Sequence, residues 1–296
     1  MLERIENGLT KLFPRLMAVF MACMLPVFAL SIVSNLREQS QVREKITALQ
    51  ERNASYYLRL LEQEVSRLKD ITYAYMNDRE FQSLAVIYDH MSDYVRAETT
   101  ENVREKLGHI RQISPYASTL YLYLPSLMRS VNTRSFDYEL DQDQVLWFME
   151  QKTLGVPVQN EAGQLMICSY YPTTATINQL PVMMLGIELN KDRIRSILHE
   201  ASSRAALVGS NWNVWTESGS LQSMPGYGQL AAMIGGVKKG SQTMEWDHEQ
   251  CLFLWEYSPI LDATLVTYIF NCVCDATGGD VFVEKCVRII HRLFAE

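Results

Sequence analysis

The chain has 296 residues, 48% hydrophobic and 21% charged, values of an ordinary folded protein with length enough for a sizeable core and two domains. A formal net charge of −7, with no basic run interleaved with aromatics, excludes direct nucleic-acid binding. The five histidines, at 90, 109, 199, 248 and 291, show no metal-ligand spacing, and no G-x-S-x-G elbow occurs, so zinc and serine-hydrolase chemistry are excluded too.

The first predicted element is a transmembrane helix over residues 16–33, LMAVFMACMLPVFALSIV, eighteen positions without a charge. That length spans about 30 Å of hydrocarbon, and a soluble helix would carry a polar stripe where this one has only Ser31. Arg4, Lys11 and Arg15 could head a cleaved signal peptide, but the apolar stretch is too long, no A-x-A site closes it and a helical pattern follows. Arg37, Arg43 and Lys45 nearly balance the basic residues before the span. Because the tail 1–15 is too short to fold, it is expected inside and the bulk of the chain outside. The expectation is a single-pass cell-membrane protein in contact with lipid, with Cys23 an ordinary membrane residue.

A long helix follows. Ile46, Leu49, Asn53, Tyr57, Leu60, Glu64, Leu68 and Ile71 recur at intervals of three and four, widened by Leu61, Val65 and Tyr75. This stripe predicts packing on a domain and pairing with a second copy as a homodimer. No Pro or Gly falls between Ser34 and Gly108, so the region reads as mostly helical with one break near Asn77-Asp78.

From Thr119 to Leu124 leucines alternate with polar-tipped residues at the period of a strand. Both faces are largely apolar, which predicts a sheet buried on both sides, one against the long helix and one against loops or a ligand. Met128 to Val131 reads as the returning strand, Asp143 to Gln151 as a short helix bearing Trp147 and Phe148. Gln164 to Tyr171 and Pro181 to Leu189 read as further strands, and Lys191 to Ala201 as an amphipathic helix. The order predicts an α+β fold, an antiparallel sheet with helices on one face.

A second, smaller unit repeats the theme, with strands at Ala206 to Val208, Val214 to Thr216, Ser241 to Trp246, Cys251 to Ser258 and Leu265 to Ile269. Asp247-His248-Glu249-Gln250 reads as a polar hairpin loop rather than a metal site. Cys168 and Cys251 fall in separate units and are read as small buried residues without a bridge between them; Cys272, Cys274 and Cys286 crowd the tail.

The chain resembles the double Cache, tandem PAS-like, extracellular region of membrane sensor histidine kinases of Bacillus- and Paenibacillus-like bacteria. The resemblance runs from about Lys11 to Ile269. It is carried by the order of Tyr57-Leu58-Arg59-Leu60-Leu61-Glu62-Gln63-Glu64 with Arg67, Asn77-Asp78, Ser114-Pro115-Tyr116 entering Leu120-Tyr121-Leu122-Tyr123-Leu124-Pro125, Gly186-Ile187-Glu188-Leu189, and Tyr257-Ser258-Pro259 before Leu265-Val266-Thr267-Tyr268-Ile269. It implies a tail at 1–15, the span at 16–33, a membrane-distal Cache unit with the long helix at 34–202, a membrane-proximal Cache unit at 203–269 and an atypical segment at 270–296. It also implies that an extracellular small molecule, by family analogy a sugar, is received by the distal unit for a two-component system. A membrane-bound AraC-type regulator, a chemoreceptor and a non-signalling surface protein are the alternative settings.

Family members would continue into a second transmembrane helix and a kinase core, whereas residues 270–296 are charged and short, as a truncated or frameshifted gene would produce. The ATP boxes of a kinase are absent, the glycines at 226–228 and 235–240 lack the context of nucleotide loops, and no cofactor or metal is expected. The remaining chemistry is a ligand pocket, for which Tyr121, Tyr123, Trp147 and Tyr170 are the candidate walls and Arg134 the candidate anion or hydroxyl anchor. No arginine stands just before Trp147-Phe148, which counts against an amino acid.

Overall fold

The computed structural model describes residues 2–137, 140, 142–150, 155–175, 180–218, 231–232, 234–246 and 249–270; within these, side chains at some positions, among them 2–19, 22 and 29, lie outside the description. The first helix, α1, runs Leu2–Met76. Residues to Arg52 form one compact unit and those from Asn53 another. In the first, Phe20, Leu25, Val27, Phe28, Leu30, Ile32 and Val33 are all exposed. Among the described residues no helix is long and apolar enough to cross a membrane; within the span expected at 16–33, the side chains at 16–19, 22 and 29 lie outside the description.

In the second unit α1 packs through Ala54, Leu58, Leu61, Val65, Leu68, Thr72 and Met76. Leu61, Val65 and Leu68 of the expected stripe are buried, while Asn53, Tyr57, Leu60 and Glu64 form its half-buried flank. An apolar tally overlooks Ala54 and Thr72, which are buried all the same, the Thr72 hydroxyl beside that of Ser169. Asp78 ends the helical run where the break was expected, accepting from the backbone N–H of Glu80 (2.9 Å) and Phe81 to cap α2, Arg79–Val86. A single 3₁₀ turn, Tyr88–His90, leads to α3, Asp93–Ile113, capped by Ser92.

The strands of the first sheet are β1 Ala117–Leu124, β2 Arg129–Asn132, β3 Phe136–Asp137, β4 Pro157–Gln159, β5 Leu165–Tyr171 and β6 Met183–Leu189, in the antiparallel order β3-β2-β1-β6-β5-β4. Strand alternation divides its residues between two layers. Leu120, Leu122, Leu124, Leu185, Ile187 and Ile167 face α1 and α3 in the main core. The opposite face is covered by α4, Gln142–Glu150. Helices therefore lie on both faces, which corrects the expectation of one. The short strands β3 and β4 had no readable alternation.

Helix α5, Lys191–Ala201, is capped by Asn190 and buries Ile194, Ile197 and Leu198. It leads into the second sheet: β7 Ala205–Gly209, β8 Val214–Ser218, β9 Lys239–Trp246, β10 Glu249–Ser258 and β11 Ala263–Phe270, in the antiparallel order β8-β7-β11-β10-β9. Glu249 pairs with Trp246, so Glu249 and Gln250 belong to the ladder and the expected four-residue loop is shorter; positions 247 and 248 lie outside the described residues. The main core runs on through α5 to Leu207, Trp215 and Leu265 of this sheet. Polar bonds also tie α1 to it: Ser258 Oγ donates to Glu62 Oε1 at 2.6 Å, and Lys239 Nζ donates to Ser55 Oγ and Glu256 Oε2. Cys168 and Cys251 are buried and not bridged to each other. Of the atypical segment expected at 270–296, Phe270 is the last residue of β11 and the rest lies outside the described residues.

Candidate functional site

The α4-covered face of the first sheet is assembled by register. Tyr121 stands opposite Gly186 and Asn132, Tyr123 opposite Met184 and Ser130, Cys168 opposite Gly186, and Tyr170 opposite Met184. Because alternate residues share a face, Thr119, Tyr121 and Tyr123 of β1 lie with Met184, Gly186 and Glu188 of β6 and with Met166, Cys168 and Tyr170 of β5.

This face has two ends of different chemistry. At the apolar end Tyr123, Cys168 and Met184 are buried under Val145, Phe148 and Met149, with Trp147 and Tyr170 packed at the margin, and the same cluster extends to Met166, which stands opposite Glu188. Trp147 and Phe148 meet edge to face at 4.9 Å, and the rings of Tyr121 and Tyr123 stack at 5.8 Å with 8° between their planes. Gly186 makes that stack fit: a Cβ there would stand 3.2 Å from the Tyr123 ring and 3.5 Å from Cys168 Sγ. Burial pushes the Cys168 thiol up, so it stays protonated and inert.

At the polar end Tyr121 Oη reaches Glu188 Oε2 at 3.5 Å, and Gln164 Nε2 donates to Glu188 Oε1 at 3.4 Å. Burial raises the Tyr121 pKa, and the Glu188 charge adds to it, while the Arg134 charge acts on the same phenol in the opposite sense. The phenol therefore remains a hydrogen-bond donor throughout the physiological range. Arg134 is exposed, and its turn is held by Asn132 Oδ1, which accepts from the N–H of Arg134 and Ser135 at 2.7 Å. The Glu188 carboxylate thus reaches the phenol directly, while the Arg134 charge acts on it from an exposed turn.

Of the five residues expected to line a pocket, Tyr121, Tyr123, Trp147 and Tyr170 come together on this face, and Arg134 acts on it from its rim. Glu188, Gly186, Gln164 and Asn132 were missed. The alternation in Gly186-Ile187-Glu188-Leu189 was available as a signal that Gly186 and Glu188 share a face. A small apolar recess of about 40 Å³, between Pro125, Met128, Leu140, Val145, Leu146 and Leu180, adjoins α4. Among the described residues no group of His, Cys, Asp and Glu converges as a metal site.

No family model and no curated protein sequence matches the chain. Among solved structures, the chain is similar to the extracellular domain of vpHK1S-Z8, a protein assigned as a histidine kinase, with 8% identity and a TM-score of 0.53, covering 75% of this chain and 91% of that one. It is also similar to the ligand-binding domain of the Campylobacter jejuni chemoreceptor Tlp3 in complex with L-norvaline, with 11% identity, a TM-score of 0.50 and the same two coverages, 75% and 91%. At these identities the likeness is one of fold: the chain is built like extracellular sensory domains of chemoreceptors and histidine kinases.

Proposed function

We propose that this chain is the membrane-anchored extracellular sensor module of a two-component sensor histidine kinase, receiving a small molecule on the α4-covered face of its first sheet. The carrying observation is the two-ended face itself, a stacked Tyr121–Tyr123 platform with an apolar lid at one end and, at the other, Glu188 within reach of the Tyr121 phenol and the Arg134 charge acting on it. The ligand reading that fits the charges is an amino acid, its carboxylate toward Arg134 and its ammonium toward Glu188. That revises the sequence expectation, which weighed only the missing arginine before Trp147. A sugar is the second reading, favoured by the stacked rings, on which a sugar face can lie.

In the same reading residues 16–33 span the bilayer with the tail 1–15 inside, and the exposed apolar side chains from Phe20 to Val33 support lipid contact. The two sheets serve as the distal (34–202) and proximal (203–269) sensor units, with a second copy pairing along the long helix. The fold likeness to Tlp3 gives a chemoreceptor setting comparable support.

The test is a thermal-shift screen of the full chain in detergent micelles against amino acids, carboxylates and sugars. A ligand at a hundred times its Kd adds about 2.7 kcal/mol to stability. One class should raise the Tm, and the combined Tyr121→Ala, Glu188→Gln variant should lose the response. A panel without any shift, or an undiminished shift in the variant, would remove the proposal.

A further inference from the structure

A second concave surface lies on the helix side of the first sheet, away from the α4 face. It is a cleft of about 500 Å³ between α3, the 3₁₀ turn and the β2–β3 edge, within the size range of small-molecule sites. It exists because α3 presents the small Thr100 between Arg96 and Arg104, each one turn away, with Ala97 between Asp93 and Glu101 beside it. Arg96, Thr100 and Arg104 are spaced four apart and share a helix face. Small residues at the middle leave a hollow with a guanidinium at either end.

The third guanidinium, Arg129 of β2, faces them from the sheet edge. Arg96 and Arg129 lie 4.6 and 4.9 Å from the Tyr88 ring centroid, and Arg129 lies 5.6 Å from that of Phe136. Tyr88 is buried and stacks on Phe136 at 6.3 Å. Arg129 Nη1 donates to Tyr88 Oη, and Arg96 Nη2 donates to the Met91 carbonyl at 3.2 Å. Both side chains are therefore held before any ligand arrives, which removes much of the ordering cost that long side chains impose on binding. Two carboxylates line the same cleft. Asp93 lies 3.6 Å from Arg96, its side chain fully exposed, and Glu101 lies 2.6 Å from Arg104. Three guanidinia against two carboxylates leave a local positive surplus on a chain whose net charge is −7.

We propose that this cleft is a second binding site, distinct from the α4 face, for a small multivalent oxyanion such as a di- or tricarboxylate or phosphate. Planar guanidinium forks match carboxylate and phosphate oxygens in pairs, and the Tyr88–Phe136 floor holds two of the forks in register. A ligand with two or more negative charges out-competes Asp93 and Glu101 for them, because those two carboxylates are half or fully in water.

Isothermal titration of the full chain in detergent with citrate and, separately, inorganic phosphate tests this at low and at physiological ionic strength. At least one probe should bind, more weakly at higher salt because the cleft is open. Arg104→Gln should weaken that binding about tenfold, Arg104→Lys by less, and Glu101→Gln should strengthen it. Arg111→Gln, which removes the same charge from α3 outside the cleft, should leave it unchanged. The better-bound probe identifies carboxylate or phosphate as the matching geometry. Absence of binding by both probes at low salt, or equal weakening by Arg104→Gln and Arg111→Gln with circular dichroism unaltered, would overturn the proposal.

Discussion

At the scale of single residues, Gly186 decides the shape of the candidate site. Tyr123 is 3% exposed and cannot swing away, so a methyl group 3.2 Å from its ring must displace the ring or β6. Gly186→Ala is expected to destabilise the protein by about 1–2 kcal/mol, read as a lower urea midpoint at unchanged m-value, and to lower the affinity of whichever ligand the screen identifies. A neutral result in both would show that the ring adapts. The tyrosine pair was legible in the sequence because alternation alone places residues 121 and 123 on one face. Glu188 was not, for it lies 67 residues from Tyr121, and the register that joins β1 to β6 is fixed by pairing across the sheet, which no local pattern encodes.

At the scale of elements, the junction of α1 and α2 shows how a short sequence signal becomes a tertiary contact. Asn77-Asp78 marked a break from sequence; the structure adds that Asp78 Oδ2 also accepts from Lys106 Nζ of α3 at 2.6 Å, with Glu80 2.8 Å from the same ammonium. Burial alone would raise the Asp78 pKa, but the hydrogen bond and charge of Lys106 and the N–H groups of Glu80 and Phe81 outweigh it and hold the carboxyl below its usual range. A carboxyl depressed in the folded state stabilises it above the ordinary aspartate pKa, near 4, and loses that contribution as pH falls through that value toward the folded one. Asp78→Asn keeps the cap and removes the charge. It is expected to cost about 0.5–1 kcal/mol at pH 7, a gap that should narrow as pH falls below the ordinary carboxylate range in parallel urea titrations; a gap independent of pH would refute the assignment. The buried stripe of α1 belongs to this scale as well. Apolar periodicity located the helix and its broad inner side, while Ala54 and Thr72 are buried positions that it does not mark. Thr72 Oγ1 meets Ser169 Oγ of β5 at 3.1 Å, a buried polar pair that a hydrophobic count cannot see.

At the scale of the whole second unit, one core joins the two sheets. Leu58, Leu61 and Val65 of α1, Ile197 and Leu198 of α5, and Leu207 and Leu265 of the second sheet belong to the same buried cluster as Leu120 and Ile187 of the first. The two sheets are therefore expected to unfold together. Pulse labelling of Cys168, buried and inert when folded, reports the first sheet when it is read by peptide mass spectrometry, apart from Cys251 of the second. Fluorescence of the Trp147→Phe variant, dominated by tryptophans such as Trp215 and Trp255, reports the second. Their urea midpoints should coincide; midpoints separated beyond error would mean that the shared core does not couple the sheets. The α+β class and the succession of most elements were legible because periods of two and 3.6 residues are local. The continuity of the core through α5 was not, because it depends on which faces of separate elements meet.

The main core and the cluster beneath α4 lie on opposite sides of a single sheet and share no side chain. Heritable variation can act on them separately. On the reading proposed above, substitutions among the residues under α4 would alter the candidate ligand face while leaving the leucine layer behind the sheet intact, so a change on one side need not disturb the packing on the other.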